Sequence, residues 1–207
     1  MFRLEAQNLS QAYHRRFVFR SVDLTLQSGE SAVILGGNGS GKSTLLKTLS
    51  RALMPFEGDV RLFDEEEEVD SGKQFFFTSL AAPYLELIEE YTLREFFAFC
   101  GKLKPWKSPW TIEELVKKAY LEEAADREIK YFSSGMKQRV RLIVAIMADT
   151  PVLLLDEPTS NLDKKGVEWY RELMEEMGRD RIVLVASNEN AEEYYFCDRE
   201  LRIEDFK

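Results

Sequence analysis

The stretch SAVILGGNGSGKST, Ser31 to Thr44, constrains this chain more than any other. A run of apolar strand formers stops at four glycines, and a lysine followed by two hydroxyl residues comes next. Gly36, Gly41, Lys42 and Ser43 fit the spacing G-x-x-x-x-G-K-[ST] without a mismatch. Glycines let a backbone wrap around phosphates with no side chain in the way. Successive N–H groups then form an anion nest, and the following helix points its positive end at the same spot. The expected phosphate-binding set is Gly36, Gly37, Asn38, Gly39, Ser40, Gly41, Lys42, Ser43 and Thr44. Lys42 would reach the β- and γ-phosphates, and Ser43 would place its hydroxyl on Mg²⁺. A plain Gly/Ser turn is the bland alternative. A chance match in a chain of this length is on the order of one in a hundred, and here a strand precedes the loop and a helix follows it.

VLLLDEP, Val152 to Pro158, is a second apolar strand, and it ends in two carboxylates. A buried charge must find a partner. Asp156 would meet Mg²⁺. Glu157 points elsewhere and would act as general base on the attacking water, worth roughly 10²–10⁴ in rate.

The chain's 207 residues fit one domain. The longest apolar run, Leu142 to Ala148, falls far short of the roughly 18 residues a membrane span needs. MFRLEAQNLS lacks the apolar core of a secretion signal. The net charge of −9 argues against nucleic acid as a partner. Cys100 and Cys197 fit two free thiols. DEEEE, Asp64 to Glu68, reads as a solvated loop between two strands.

Periodicity gives an α/β order. Met1 to Leu26 reads as antiparallel strands, with Phe17, Phe19, Val22, Leu24 and Leu26 mostly alternating. Ala32 to Leu35 suits the centre of a parallel sheet. Leu45, Leu46, Leu49 and Leu53 predict a helix closed by Pro55. Val60 to Phe63 and Gln74 to Phe77 are the next expected strands. Thr92 to Ala125 turns helical, broken by KPWKSPW, Lys104 to Trp110. A helix over Met136 to Ala148 and buried strands at Val152–Leu155 and Ile182–Ala186 complete the pattern.

YFSSGMKQRVRLIVAIMADTPVLLLDEPTSNLD, Tyr131 to Asp163, resembles the ATP-binding subunits of ABC transporters. Phe132 to Met136 looks like their signature, and Ser160 to Asp163 like the loop after their acidic strand. The resemblance covers essentially the whole chain. It implies a P-loop NTPase core with a mixed sheet, an N-terminal antiparallel β subdomain and a helical insertion at about 80–130, all in one domain over residues 1–207. It further implies ATP and Mg²⁺ bound between two head-to-tail copies, in a homodimer or heterodimer. Ser133 and Gly135 of one copy would contact the γ-phosphate held by the other. Asp163 would organise the dimer contact, and Tyr13 would stack on adenine unless it is a core aromatic. The implied activity is ATP hydrolysis driving a separate transmembrane permease subunit, at the cytoplasmic face of the membrane. The rivals are a soluble non-transport relative and a nucleotide-sensing module.

The chain departs from the family at several points. The usual glutamine at the start of the insertion is missing from TSLAAPYLEL, Thr78 to Leu87, and Gln74 lies too early to replace it. Where the family has a catalytic histidine, VASNEN offers Asn188. His14, the sole histidine, reads as an exposed loop residue. Ser134 and Met136 replace a usual glycine and glutamine. An asparagine amide donates a hydrogen bond but carries no charge, which implies slower turnover with ATP binding intact.

Overall fold

The computed structural model describes every residue except Arg15 and Ser108. The expected strand region over Met1–Leu26 and the break at Lys104–Trp110 each include one of these positions, which lie outside the described residues.

Two sheets form. The antiparallel one contains β1 (Phe2–Tyr13), β2 (Arg16–Gln27), β4 (Glu57–Asp64) and β5 (Glu67–Glu68), in the order β2-β1-β4-β5. The second contains β3 (Ser31–Leu35), β6 (Thr78–Ala81), β7 (Val152–Asp156), β8 (Ile182–Ser187) and β9 (Arg199–Arg202), in the order β6-β7-β8-β3-β9. Every pairing in this sheet is parallel, where a mixed sheet was expected. Crossovers, not hairpins, join its strands, so each re-enters in the same direction. Among the described residues the antiparallel strand pairings lie in the other sheet, apart from two isolated bridges, Thr92–Glu128 and Trp106–Ala148.

Helices α1 (Lys42–Leu49), α2 (Leu93–Leu103), α3 (Ile112–Lys118), α4 (Ser134–Met147) and α5 (Lys164–Met177) surround the parallel sheet. Side chains alternate faces along a strand, and this divides the core in two. Val33, Leu35, Leu153, Leu155, Val183 and Val185 pack with α2 to α5. Ala32, Ile34, Val152, Leu154, Leu184 and Ala186 pack with α1 and the antiparallel sheet. Helix α1 is thus held between the two sheets. Among the described residues no helix is long and apolar enough to cross a membrane.

Several elements differ from expectation. Gln74–Phe77 is a single 3₁₀ turn, not a strand, and the strand is the next segment, Thr78–Ala81, paired with β7. Phe75 and Phe76 face solvent, while Gln74 is buried and accepts from Arg51 Nε at 2.9 Å. Helix α1 stops at Leu49, short of Leu53 and Pro55. Arg51 then takes φ +57°, and its guanidinium is tied to Asp59 and to the Val60 carbonyl. Asp64 to Glu68 is a tight β4–β5 hairpin rather than a loop. Cys100 and Cys197 are free thiols, both pushed up to about 12 by burial.

Helix α2 begins with a capping box. Thr92 accepts from the Glu95 N–H, and the Glu95 carboxylate accepts from the Thr92 N–H at 2.9 Å. This aims Leu93, Phe96 and Phe97 into the core. Thr92→Ala is expected to cost about 1 kcal/mol and to lower Tm by about 2–4 °C in a chain of this size. Nucleotide affinity should stay unchanged. Thermal melts with and without nucleotide check both statements.

Candidate functional site

The parallel register brings four strand ends to one edge. Leu35 pairs with Ser187, Asp156 with Ala186 and Ala81 with Leu155. Gly36, Asp156–Glu157 and Asn188 therefore emerge side by side, where ligands bind in open α/β sheets.

The glycine loop is fixed from behind. Gly36 has φ +154°, and a Cβ there would lie 2.5 Å from Ile203 Cγ2 and 2.8 Å from Ser40 Oγ. Gly41 has φ +110°, and a Cβ would lie 2.5 Å from Val18 Cγ1. Any other residue at these two positions meets both backbone strain and a clash. Gly41 also serves as the N-cap of α1. Gly37, Asn38 and Gly39 are exposed, and Ser40, Ser43 and Thr44 are half-buried. Lys42 is buried, and its ammonium donates to the Gly36 and Gly37 carbonyls at 2.7 and 3.0 Å.

Asp156 is 2% exposed, and neither carboxylate oxygen has a hydrogen-bond partner. Burial pushes its carboxyl above the usual range, and Glu157 adds to this. The Ser43 and Tyr84 hydroxyls and the Lys42 ammonium face it and pull the other way. Two orphaned oxygens beside a hydroxyl fit a hard cation that takes oxygen ligands. Among the described residues no group of three or more His, Cys, Asp or Glu is arranged to hold a metal. The donor set is thus partial, as magnesium accepts when phosphate oxygens and water complete it.

Glu157 is half-buried with φ +44°, a conformation unusual for a non-glycine residue. Its N–H donates to the Ala186 carbonyl at 2.9 Å, which stitches the turn to β8. Asn188 follows β8 directly and is exposed.

The other expected residues form separate groups. Ser133 is exposed and caps α4, accepting from the Met136 N–H at 3.2 Å. Gly135 lies against the Asn161 carbonyl, 3.0 Å from where its Cβ would be. Asp163 caps α5, accepting from the Gly166 N–H at 2.8 Å. Tyr13 is 49% exposed at the tip of the β1–β2 hairpin, so it is not a core aromatic. Val18, on the same hairpin, abuts Gly41. His14 is exposed.

Two residues escaped the sequence reading. Tyr84 follows β6, faces Asp156, and has Lys47 Nζ 3.8 Å from its ring centroid. Burial and the Asp156 charge push its phenol well up. Assigning β6 correctly is what exposes Tyr84 as a strand-end residue. Glu193 is buried between two of the site's loops, and no spacing signals it.

A strand-end site of this kind on a parallel sheet defines a P-loop nucleoside triphosphatase. The sequence profile of the ABC transporter family matches residues 19–160. An uncharacterised ABC transporter ATP-binding protein of Bacillus subtilis (strain 168), YybJ, is 28% identical over 198 residues, covering 94% of this chain and 89% of that protein. The ABC transporter ATP-binding protein NatA of the same organism is 30% identical over 190 residues, covering 89% and 77%. The fold matches an ABC transporter ATP-binding protein from Pyrococcus furiosus, at TM-score 0.80 and 21% identity over 99% of each chain. It also matches a dimeric ATP-binding cassette holding ADP and Pi, at TM-score 0.79 and 22% identity over 96% and 93%. The chain belongs to the ABC transporter family, as an ATP-binding component whose ATP hydrolysis is coupled to transport.

Gly41→Ala introduces strain of about 1–3 kcal/mol. Relieved in the free loop and restored on closing around phosphate, that strain costs about 5- to 150-fold in nucleotide affinity. Adding Val18→Ala should recover only part of it, because the positive φ remains. Titration with a fluorescent ATP analogue, alongside melts that confirm folding, measures both.

Proposed function

We propose that the chain is a single ATPase domain, residues 1–207 with its helical insertion at about 80–130, that holds Mg²⁺-ATP and drives a separate transmembrane permease subunit. It works at the cytoplasmic face of the membrane through that partner. The observation that carries this reading is the buried, unpartnered Asp156 carboxylate beside Ser43 and the glycine loop.

In this reading the backbone N–H groups of Gly36 to Gly41 cradle the phosphates, with Thr44 adding its hydroxyl at the helix start. Lys42 turns its ammonium from the loop carbonyls to the γ-phosphate. Ser43 and Asp156 would hold Mg²⁺, which when bound spreads charge away from the β- and γ-phosphoryl oxygens. Glu157 takes the proton from the attacking water. Asn188 donates an amide hydrogen to a γ-phosphate oxygen, a neutral bond about half as strong as a charged one. Tyr13 stacks on adenine. Ser133 and Gly135, at the α4 N-terminus, complete the site of a second copy, and Asp163 lies at that contact. ATP then favours the closed dimer because it touches both copies only there.

Glu157→Gln should reduce hydrolysis by about 100-fold or more while ATP still binds. A wild-type rate overturns the assignment. Asn188→Ala should slow turnover by about 2- to 12-fold, the worth of one neutral hydrogen bond, and Asn188→His should raise it. Unchanged rates in both place the γ-phosphate contact elsewhere. Co-purification from detergent with a multi-span membrane protein tests the partner.

A further inference from the structure

The two loops that carry Glu157 and Asn188 meet at one buried side chain. Glu193 lies in the turn after β8 and is 3% exposed. Its Oε1 accepts from the Thr159 N–H at 3.3 Å and from the Thr159 hydroxyl at 2.8 Å. Its Oε2 accepts from the Ser187 hydroxyl at 2.5 Å. Thr159 stands two residues after Glu157, and Ser187 immediately precedes Asn188. Asn190 closes the ring. Its Nδ2 donates to Thr159 Oγ1 at 3.0 Å, and its backbone N–H donates to Ser187 Oγ at 3.2 Å. From behind, the fully buried Tyr170 of α5 donates its hydroxyl to the Glu193 carbonyl at 2.9 Å.

An ionised carboxylate sets the direction of the two hydroxyl bonds it accepts. Both hydroxyls accept a hydrogen bond from an Asn190 N–H and donate their own to the carboxylate, which when ionised only accepts. Burial pushes the Glu193 carboxyl up, and the Ser187 and Thr159 hydrogen bonds oppose that. An apolar residue would fill the same space at lower desolvation cost. The carboxylate adds something an apolar residue lacks, a fixed spacing between the β7 loop and the β8 loop.

We propose that Glu193 is a positioning residue for ATP hydrolysis, setting the Glu157 carboxylate against the Asn188 amide across the attacking water and the γ-phosphate. This rests on the roles assigned above to Glu157 and Asn188. Glutamine preserves the ring. Its Oε1 accepts from Thr159, its Nε2 donates to Ser187 Oγ, and that hydroxyl turns to the Asn190 carbonyl, 3.4 Å away. Leucine removes it.

The test measures kcat, KM for ATP and Tm in the full chain for Glu193→Leu, Glu193→Gln and Thr159→Val. Misplacement of catalytic groups by an ångström costs up to about 100-fold, so Glu193→Leu is expected to lose about ten-fold or more in kcat with KM held within about two-fold. Glu193→Gln should recover most of that loss. If Glu193→Leu does not fold, Thr159→Val carries the test, with a several-fold loss in kcat at unchanged KM. A wild-type kcat in folded Glu193→Leu or in Thr159→Val overturns the proposal. So does a KM that rises as kcat falls, or a glutamine variant as impaired as the leucine one. Glu157→Gln run in parallel separates the two ideas. A wild-type rate there defeats the reading of the site, whereas an inactive Glu157→Gln beside a wild-type Glu193→Leu defeats only the positioning role.

Discussion

In a parallel sheet every strand ends on the same edge, and in this protein that constraint builds the site. Each of β3, β7 and β8 runs from the far side of the molecule to a residue proposed to act on ATP. The ladder fixes their relative heights. Leu35 stands opposite Ser187, and Asp156 opposite Ala186, so the first loop glycine, the acidic pair and Asn188 emerge at nearly one level. No loop has to travel to bring them together. A one-residue slip of β7 would move Asp156 along the edge and swap which core each of its leucines enters. Because Leu153 and Leu155 pack on one side and Leu154 on the other, the slip would have to exchange whole side chains between two filled cores. Packing thereby holds the chemistry in register.

The glycine loop depends on the second sheet as much as on the first. An isolated helix of eight residues is unstable in water, yet α1 is just this long. Leu45, Leu46 and Leu49 are all buried between the sheets, and full burial of a leucine contributes about 1.5–3 kcal/mol. That outweighs the helix's own weak tendency to form. The same hairpin that covers α1 presses Val18 against Gly41 and carries Tyr13 at its tip. One antiparallel unit thus shapes the loop that would take phosphate and positions the aromatic proposed for adenine.

The glycine loop and the acidic strand were legible because each is a contiguous signal with a demanding physical cause. The strand ending in Ala81 was not. Phe75 to Phe77 carries strong strand propensity, but Phe75 and Phe76 face solvent and the turn is held by the buried Gln74. The true strand, TSLA, is polar and small, and its strandedness comes from pairing with β7. Propensity yields there to tertiary context. With that strand misplaced, Tyr84 stayed hidden. Glu193 was illegible for another reason. Its partners Thr159 and Ser187 come from different strand ends, and nothing local distinguishes a buried glutamate from the exposed one beside it.

The charge balance of the site is its least ordinary feature. Asp156, Glu157 and Glu193 lie close enough that Glu157 raises the proton affinity of both others. Against them stands the Lys42 ammonium, turned toward the Gly36 and Gly37 carbonyls. Like charges in a partly dry site repel strongly, and a triphosphate brought to the loop adds more negative charge. Glu193 meets this with three hydrogen-bond donors. Around Asp156 the Ser43 and Tyr84 hydroxyls approach without completing a hydrogen bond, and its two oxygens are the only carboxylate atoms among the described residues that are both buried and without a hydrogen-bond partner. In the reading proposed above, Lys42 and a Mg²⁺ ion held by Ser43 and Asp156 would supply the positive charge that lets the acidic strand and the phosphate loop close on one triphosphate.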